Sequence, residues 1–319
     1  MRIGVITSGG DAPGMNAALR AVVRTALSRG VSVTGFHHGY DGVINDDAVE
    51  LVSRSVGGII DRGGTILRSA RCKPFLERAG RAKAIATLRK NKVDGLVVIG
   101  GDGSLTGALK LEEEFEFPVY GVPGSIDNDI PGTDFSIGFD TAVNTAVEAI
   151  DRVRDTAYSH ERVFVIEVMG RRNGLIALEA ALAGGAEAVL LPEVPYSLEQ
   201  VCKKLIDAAA LGKKSSIIVV AEGAAKAEHI RVDIQECIGY ETRAVVLGHM
   251  QRGGSPTAFD RVLALRLGAL ATNRLISGYH GEMAGIEGNR LVTQPLPFVL
   301  NSRRELDPEK LLLVEMMAQ

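Results

Sequence analysis

Two carboxylates stand two residues apart in the segment Gly121-Val122-Pro123-Gly124-Ser125-Ile126-Asp127-Asn128-Asp129, a turn-rich stretch that follows an apolar run. One carboxylate of such a pair can hold Mg²⁺ while the other takes a proton. The composition also suits an ordinary turn, because Gly, Pro, Asn and Asp are the residues turns favour. Two glycine-rich segments weigh toward a site. In the first, Arg2 to Thr7 runs into Ser8-Gly9-Gly10-Asp11-Ala12-Pro13-Gly14 and then Met15 to Arg20. In the second, Gly95 to Ile99 runs into Gly100-Gly101-Asp102-Gly103-Ser104 and then Leu105 to Leu111. Each reads as strand, tight glycine turn, helix. Free backbone N–H groups and the positive end of the helix dipole make that junction a phosphate site, and glycine keeps a Cβ from holding the phosphate away.

Those segments need strands to launch them and helices to receive them. Aliphatic runs at 2–7, 32–36, 95–99, 118–122, 163–168, 187–191 and 215–221 predict strands. Helical spacing of Ala142, Val143, Ala146, Val147, Ile150 and Val153 predicts a helix from Thr141 to Thr156, with Glu148 and Arg152 as an i,i+4 pair. A second helix is expected over about 258–276. This alternation argues for an α/β fold with largely parallel sheets. At 319 residues the chain is long for one core, so two domains are expected. With no Trp and 5% aromatics, the core must be aliphatic. A formal charge of −3 offers no case for nucleic-acid binding. No run approaches the length of a membrane span, and a strand at the N-terminus leaves no room for a signal peptide. Cys72, Cys202 and Cys237 are odd in number and widely spaced, which suggests a reducing cytoplasm and neither a disulfide framework nor a zinc site.

The phosphate apparatus is neither a P-loop nor a dinucleotide fingerprint, since no Gly-x-x-x-x-Gly-Lys-Ser/Thr occurs and the spacing around Gly101 is not Gly-x-Gly-x-x-Gly. The kinase His-Arg-Asp loop is missing as well. Five motifs in order do resemble another lineage. Ser8 to Asn16, Gly100 to Ser104, Pro123 to Asp129, Met169-Gly170-Arg171 and Gly248-His249-Met250-Gln251-Arg252-Gly253-Gly254-Ser255-Pro256 are similar to the signature set of the bacterial 6-phosphofructokinases. The resemblance runs from residue 2 to about 290, and the last thirty or so residues carry little of it.

The resemblance implies two three-layer α/β domains with the active site in the cleft between them, at 1–138 plus 252–305 and at 139–251 plus 306–319. It also implies a glycolytic transfer of phosphoryl from ATP to the 1-hydroxyl of fructose 6-phosphate. Asp127 would be the general base, with Ser125 beside it. Asp102 and Asp129 would hold Mg²⁺, directly or through water. Gly10, Arg71, Cys72, Asp102, Gly103 and Ser104 would bind ATP, with Arg71 bridging the phosphates and Cys72 no more than an apolar wall. Arg162, Arg243, His249 and Arg252 would clamp the sugar phosphate. Met169, Gly170, Arg171 and Glu222 would complete that pocket, and Arg171 would also stabilise the transition state. Arginine suits these roles because its planar fork binds phosphate oxygens in pairs. Arg162 and Arg243 would reach in from a neighbouring subunit, which requires an oligomer and suggests a D2 homotetramer in the cytoplasm.

Departures from the pattern refine the expectation. Pyrophosphate users typically carry Asp at position 103 and Lys at 124, and this chain has Gly at both, which favours ATP. Ser125 replaces the usual Thr and keeps the hydroxyl. Arg20, Arg24, Arg154, Gly185, Glu187 and Lys213 match an effector site for ADP or phosphoenolpyruvate. Leu211, Ser215 and Gly58 stand where related enzymes often carry charge, and Arg54 is displaced by one position. Weak or altered allosteric control is the expectation. Lys213-Lys214 also reads as a solvated basic pair at a helix end. The rival readings are a pyrophosphate-dependent enzyme, an NAD or lipid kinase sharing only Gly-Gly-Asp-Gly, and a non-catalytic paralogue that binds sugar phosphate or nucleotide.

Overall fold

The computed structural model of the chain describes residues 1–213 and 215–318, so Lys214 of the expected basic pair lies outside the described residues. The strands are β1 (Arg2–Ser8), β2 (Ser32–Phe36), β3 (Ala48–Leu51), β4 (Gly95–Gly100), β5 (Val119–Pro123), β6 (Val163–Val168), β7 (Ala188–Leu190), β8 (Ser216–Ala221), β9 (Thr242–Val246), β10 (Glu282–Glu287) and β11 (Arg290–Pro295). The chain divides into two compact units, one of residues 1–140 and 252–304, the other of residues 141–251 and 305–319.

The first unit holds a seven-stranded sheet of order β11-β10-β5-β4-β1-β2-β3. Its central pairs are parallel, and β3 and β11 close the two edges antiparallel. Successive side chains of a strand face opposite ways, so each central strand supplies two faces. Ile6, Leu96, Val98 and Val119 pack with Ile85, Leu88, Leu105 and Leu111 of the helices Arg78–Lys90 and Asp102–Phe115. The helices Met15–Ser28 and Ala258–Ile276 pack closely against each other in the same unit. Residue 268 lies at their crossing: a Cβ on Gly268 would stand 2.7 Å from the Ala18 carbonyl oxygen. The chain adds strands outward from β1 in one direction, then returns to add β4 on the other side. Such a reversal is where open α/β sheets bind ligands, at the carboxyl ends of the strands.

The second unit holds an all-parallel sheet of order β7-β8-β6-β9. Val163, Val165, Ile218 and Val220 pack with Leu205 of the helix Leu198–Ala210 and with Ile230 and Ile234 of the helix Ala227–Ile238. The expected helix at 141–156 is longer, Phe139–His160, and the Glu148–Arg152 pair forms on it. Four strands went unforeseen, β3, β9, β10 and β11. β3 and β11 are antiparallel edge strands, and β3, β9 and β11 carry polar residues and are largely unburied, so none of them shows the continuous apolar run of a buried parallel strand.

The cysteine expectation needs correction. Cys202 and Cys237 form a disulfide, with Cα atoms 6.2 Å apart across a sequence separation of 35. Wide spacing does not separate them in space, because the helices that carry them pack side by side in the core of the second unit. Cys72 is the free cysteine, and it packs against the aliphatic core of the first unit. Among the described residues, no helix is long and apolar enough to cross a membrane.

Candidate active site

In the first unit the loops after β1, β4 and β5 meet at the reversal point of the sheet. The Gly124 N–H donates to the Gly100 carbonyl at 3.0 Å, which ties the β5 loop to the β4 loop. Gly101 caps the helix Asp102–Phe115, so Asp102, Gly103 and Ser104 form its first turn, and the Ser104 N–H closes back on the Gly101 carbonyl at 2.9 Å. The Ser104 carbonyl accepts the buried Tyr40 hydroxyl at 2.7 Å, which anchors that turn from beneath. Burial drives the Tyr40 hydroxyl pKa well above its ordinary value, so it stays a donor. Gly10 lies under Arg252: a Cβ there would meet the guanidinium at 2.7 Å, and Arg252 donates to the Asp11 carbonyl at 3.2 Å. A larger residue at position 10 would push the arginine off the phosphate turn. Arg71 is exposed in the irregular segment before Lys73, next to half-buried Cys72. Burial raises the Cys72 thiol pKa, which keeps it protonated and suits a passive wall.

The Pro123–Asp129 loop is built around its own side chains. The Ser125 hydroxyl donates to the Asp129 carboxylate at 3.1 Å and accepts the Asp127 N–H at 3.2 Å. Asn128 takes a left-handed backbone, φ 53°, and its side chain accepts the Ser136 N–H at 2.7 Å while donating to the Asp134 carbonyl. The Ser136 hydroxyl closes the ring on the Ser125 carbonyl at 2.6 Å. Asp127 is 2% exposed in this frame, and Asp129 is half-buried. Among the described residues, no cluster of three or more His, Cys, Asp and Glu side chains could hold a metal ion. The hard oxygen donors of Asp102 and Asp129 nonetheless fit Mg²⁺, which binds through one or two carboxylates, water and substrate phosphate.

In the second unit the loops after β8, β6 and β9 are neighbours because those strands are. The Arg171 N–H donates to the Glu222 carboxylate at 2.9 Å, and the Met169 N–H to the Gln251 side-chain oxygen at 2.8 Å. Arg171 itself is left-handed at φ 55° and follows Gly170 at φ 142°. The Arg171 carbonyl passes so close to Gly223 that a Cβ there would lie 2.3 Å from it. His249 is exposed in the one-turn segment Gly248–Arg252.

Arg162 and Arg243 are not brought to that end. Arg162 stands just before β6, and Met169 just after it. Arg243 is paired with Phe164, near the start of both strands. Six residues of strand put them about 20 Å from the Met169 turn. There they share one carboxylate: Glu241 Oε2 accepts Arg162 Nε at 2.7 Å, and Glu241 Oε1 pairs with Arg243. The Arg162 hydrogen bond holds the Glu241 carboxyl below the usual carboxylate range. A surface cavity of about 520 Å³ opens beside them, lined by Glu228, Arg231, Gln235, Glu241, Thr242, Arg243 and Ala244.

The effector candidates form local groups. Arg20 donates to the Val56 carbonyl at 2.6 Å, and Arg24 is exposed one turn further along the same helix. In the second unit Arg154 donates to the Gly185 carbonyl at 2.8 Å, and Lys213 pairs with buried Glu187 at 2.8 Å. Leu211 is 90% exposed beside them. Sequence reasoning assigned no role to Gln251, Glu241 or Ser136. Gln251 sits inside a motif that was read for its neighbours, whereas Glu241 and Ser136 carry no local signal and act through spatial contacts alone.

Comparison with known proteins shows which family the chain resembles. The phosphofructokinase family profile matches residues 2–275. The chain is 55% identical over 306 residues to an ATP-dependent 6-phosphofructokinase of Halalkalibacterium halodurans, covering 96% of each chain. It is 56% identical over 308 residues to the Bacillus mycoides protein of the same name, covering 97% of this chain and 96% of the other. Among solved structures, Pichia pastoris phosphofructokinase in the T-state matches with a TM-score of 0.90 at 39% identity. That match covers 94% of this chain, which spans only 35% of the Pichia chain.

Proposed function

Because the chain belongs to the phosphofructokinase family, we propose that it transfers the γ-phosphoryl group of ATP to the 1-hydroxyl of fructose 6-phosphate, giving fructose 1,6-bisphosphate and ADP. Asp127 carries this reading. A nearly buried carboxylate, locked by a ring of hydrogen bonds next to two phosphate-type turns, is a poor choice for stability and a good one for a general base.

In this reading the Gly103 amide and the Ser104 hydroxyl receive the nucleotide phosphates, and Arg71 neutralises them from the side. Asp127 accepts the proton of the 1-hydroxyl as its oxygen attacks the γ-phosphorus, and the bond to the β-phosphate oxygen breaks to release ADP. Ser125 fixes the spacing of Asp127 and Asp129. Arg171 meets the charge that spreads over the equatorial oxygens. Glu222, Met169 and Gly170 read the sugar hydroxyls, and His249 and Arg252 help to hold its phosphate. Asp102 and Asp129 would hold Mg²⁺, which when bound neutralises charge on the β- and γ-oxygens.

ATP is the donor, a reading supported by Gly103 and Gly124 and by the names of the close relatives. The position of Arg162 and Arg243 at the opposite end of their strands supports their service to another copy's sugar phosphate, hence a symmetric homotetramer. The cytoplasm, where glycolysis runs, is the expected compartment. ADP and phosphoenolpyruvate bind weakly at the Arg20, Arg24, Arg154, Gly185, Glu187 and Lys213 groups, because Leu211 and Gly58 supply no charge there.

A coupled initial-rate assay with fructose 6-phosphate and Mg²⁺, comparing ATP with pyrophosphate, tests the proposal. Turnover with ATP alone that is abolished in Asp127→Ser supports both donor and base. Turnover with pyrophosphate would reassign the donor, and no turnover with either would favour a non-catalytic paralogue.

A further inference from the structure

Gln251 is wholly buried, and its Oε1 accepts the Met169 N–H at 2.8 Å. That bond sets the orientation of the side-chain amide, since only the oxygen can accept. Its Nε2 is buried and has no hydrogen-bond partner among the described residues. Burying unpaired donors in this way destabilises the fold. A methionine of similar volume would fill the same space without that cost. A group that lowers stability where it sits serves something other than stability.

The group it braces is the turn that carries Arg171. Left-handed backbone at a non-glycine residue is strained and persists only where its surroundings hold it. Three supports do so here. Glu222 accepts the Arg171 N–H, the Gly170 carbonyl accepts the Asn173 N–H at 3.0 Å, and Gln251 holds Met169 at the start of the turn. Gln251 is the one that reaches the turn from the β9 side.

We propose that Gln251 is a positioning residue for phosphoryl transfer: its Oε1 pins Met169 so that the strained turn presents Arg171 to the phosphoryl group in flight. This rests on the reading above, in which Arg171 stabilises the transition state.

The test compares Gln251→Met, Gln251→Asn and Gln251→Glu with the unmodified enzyme in kcat, both KM values and Tm. Methionine removes the acceptor, asparagine holds its amide one methylene short of Met169, and glutamate restores an acceptor. Displacement of a catalytic group by about 1 Å costs roughly a hundredfold, so kcat should fall between about tenfold and a hundredfold in Met and Asn. The KM for ATP should stay within about twofold, and Tm for Gln251→Met should be equal or higher. Glutamate should recover most of the lost kcat. A lower Tm with unchanged kcat would make Gln251 a structural residue, and a glutamate variant as slow as the asparagine one would remove the Met169 bond as the cause. If Gln251→Met does not fold, the asparagine and glutamate pair decides alone. No turnover by the unmodified enzyme would overturn the functional reading itself, which separates that failure from this one.

Discussion

Removing the Ser125 hydroxyl isolates what the Pro123–Asp129 loop contributes beyond its carboxylates. The hydroxyl makes two bonds, one to the Asp129 carboxylate and one from the Asp127 N–H. A bond to a charged acceptor is worth about 1.5–3 kcal/mol and a neutral one about 0.5–1.5. Part of that total holds the loop in the free enzyme and never reaches the transition state, so roughly 2–3 kcal/mol should appear in the rate. At 1.36 kcal/mol per factor of ten, Ser125→Ala should lower kcat about 30- to 150-fold. Ser125→Thr keeps both bonds and adds one methyl, so kcat should change by no more than about threefold, at a cost below about 1 kcal/mol. Initial rates with saturating ATP and fructose 6-phosphate read both variants, and circular dichroism on the same samples checks that they fold. If alanine leaves kcat intact, the hydroxyl does not order the carboxylates. If threonine is as damaging as alanine, the loop lacks room for the methyl and serine is specifically required.

Three further outcomes follow from other parts of the molecule. Asp127→Ser and Arg243→Ala chains, each inactive alone, should regain up to about a quarter of wild-type activity when dissociated and reassembled together, because a shared site draws the two residues from different copies; no recovery would confine each site to one chain. Glu241→Gln should lower the KM for fructose 6-phosphate two- to fivefold by releasing both arginines to the phosphate, a modest effect because exposed ion pairs are weak. Since the Glu241 carboxyl is held below its usual range, its charge is lost only at still lower pH, and the difference from wild type should be constant through neutral pH; a raised KM would mean that Glu241 aims the arginines and does not compete for them. Phosphoenolpyruvate or ADP, titrated against initial rate at sub-saturating fructose 6-phosphate, should shift the rate only weakly, and strong sigmoidal inhibition would contradict the altered effector site.

What the sequence made legible depends on how local each interaction is. The phosphate turns could be read because strand, glycine and helix start are consecutive: Gly100 to Ser104 carries its geometry in the order of its residues. Buried parallel strands such as β4, whose Leu96 to Ile99 is an unbroken apolar run, announce themselves, and β6 does so with only Glu167 interrupting. β9 does not, because as an edge strand it puts Arg243 and Val246 into solvent and buries only Thr242 fully. The same loss of locality explains the cysteines, where a separation of 35 residues closes to 6.2 Å between two helices that neither cysteine's neighbourhood could pair. It also explains Gln251. From the sequence it is a polar residue between His249 and Arg252, with every reason to be solvated. Only the parallel register of β6 against β9 carries the segment after β9 to the Met169 turn. The chemistry was written in residues that touch along the chain, whereas the bracing of that chemistry is written in residues that touch only after the sheet forms. Substitutions that impair catalysis without touching substrate should therefore concentrate at such positions, among them Gln251 and Ser136.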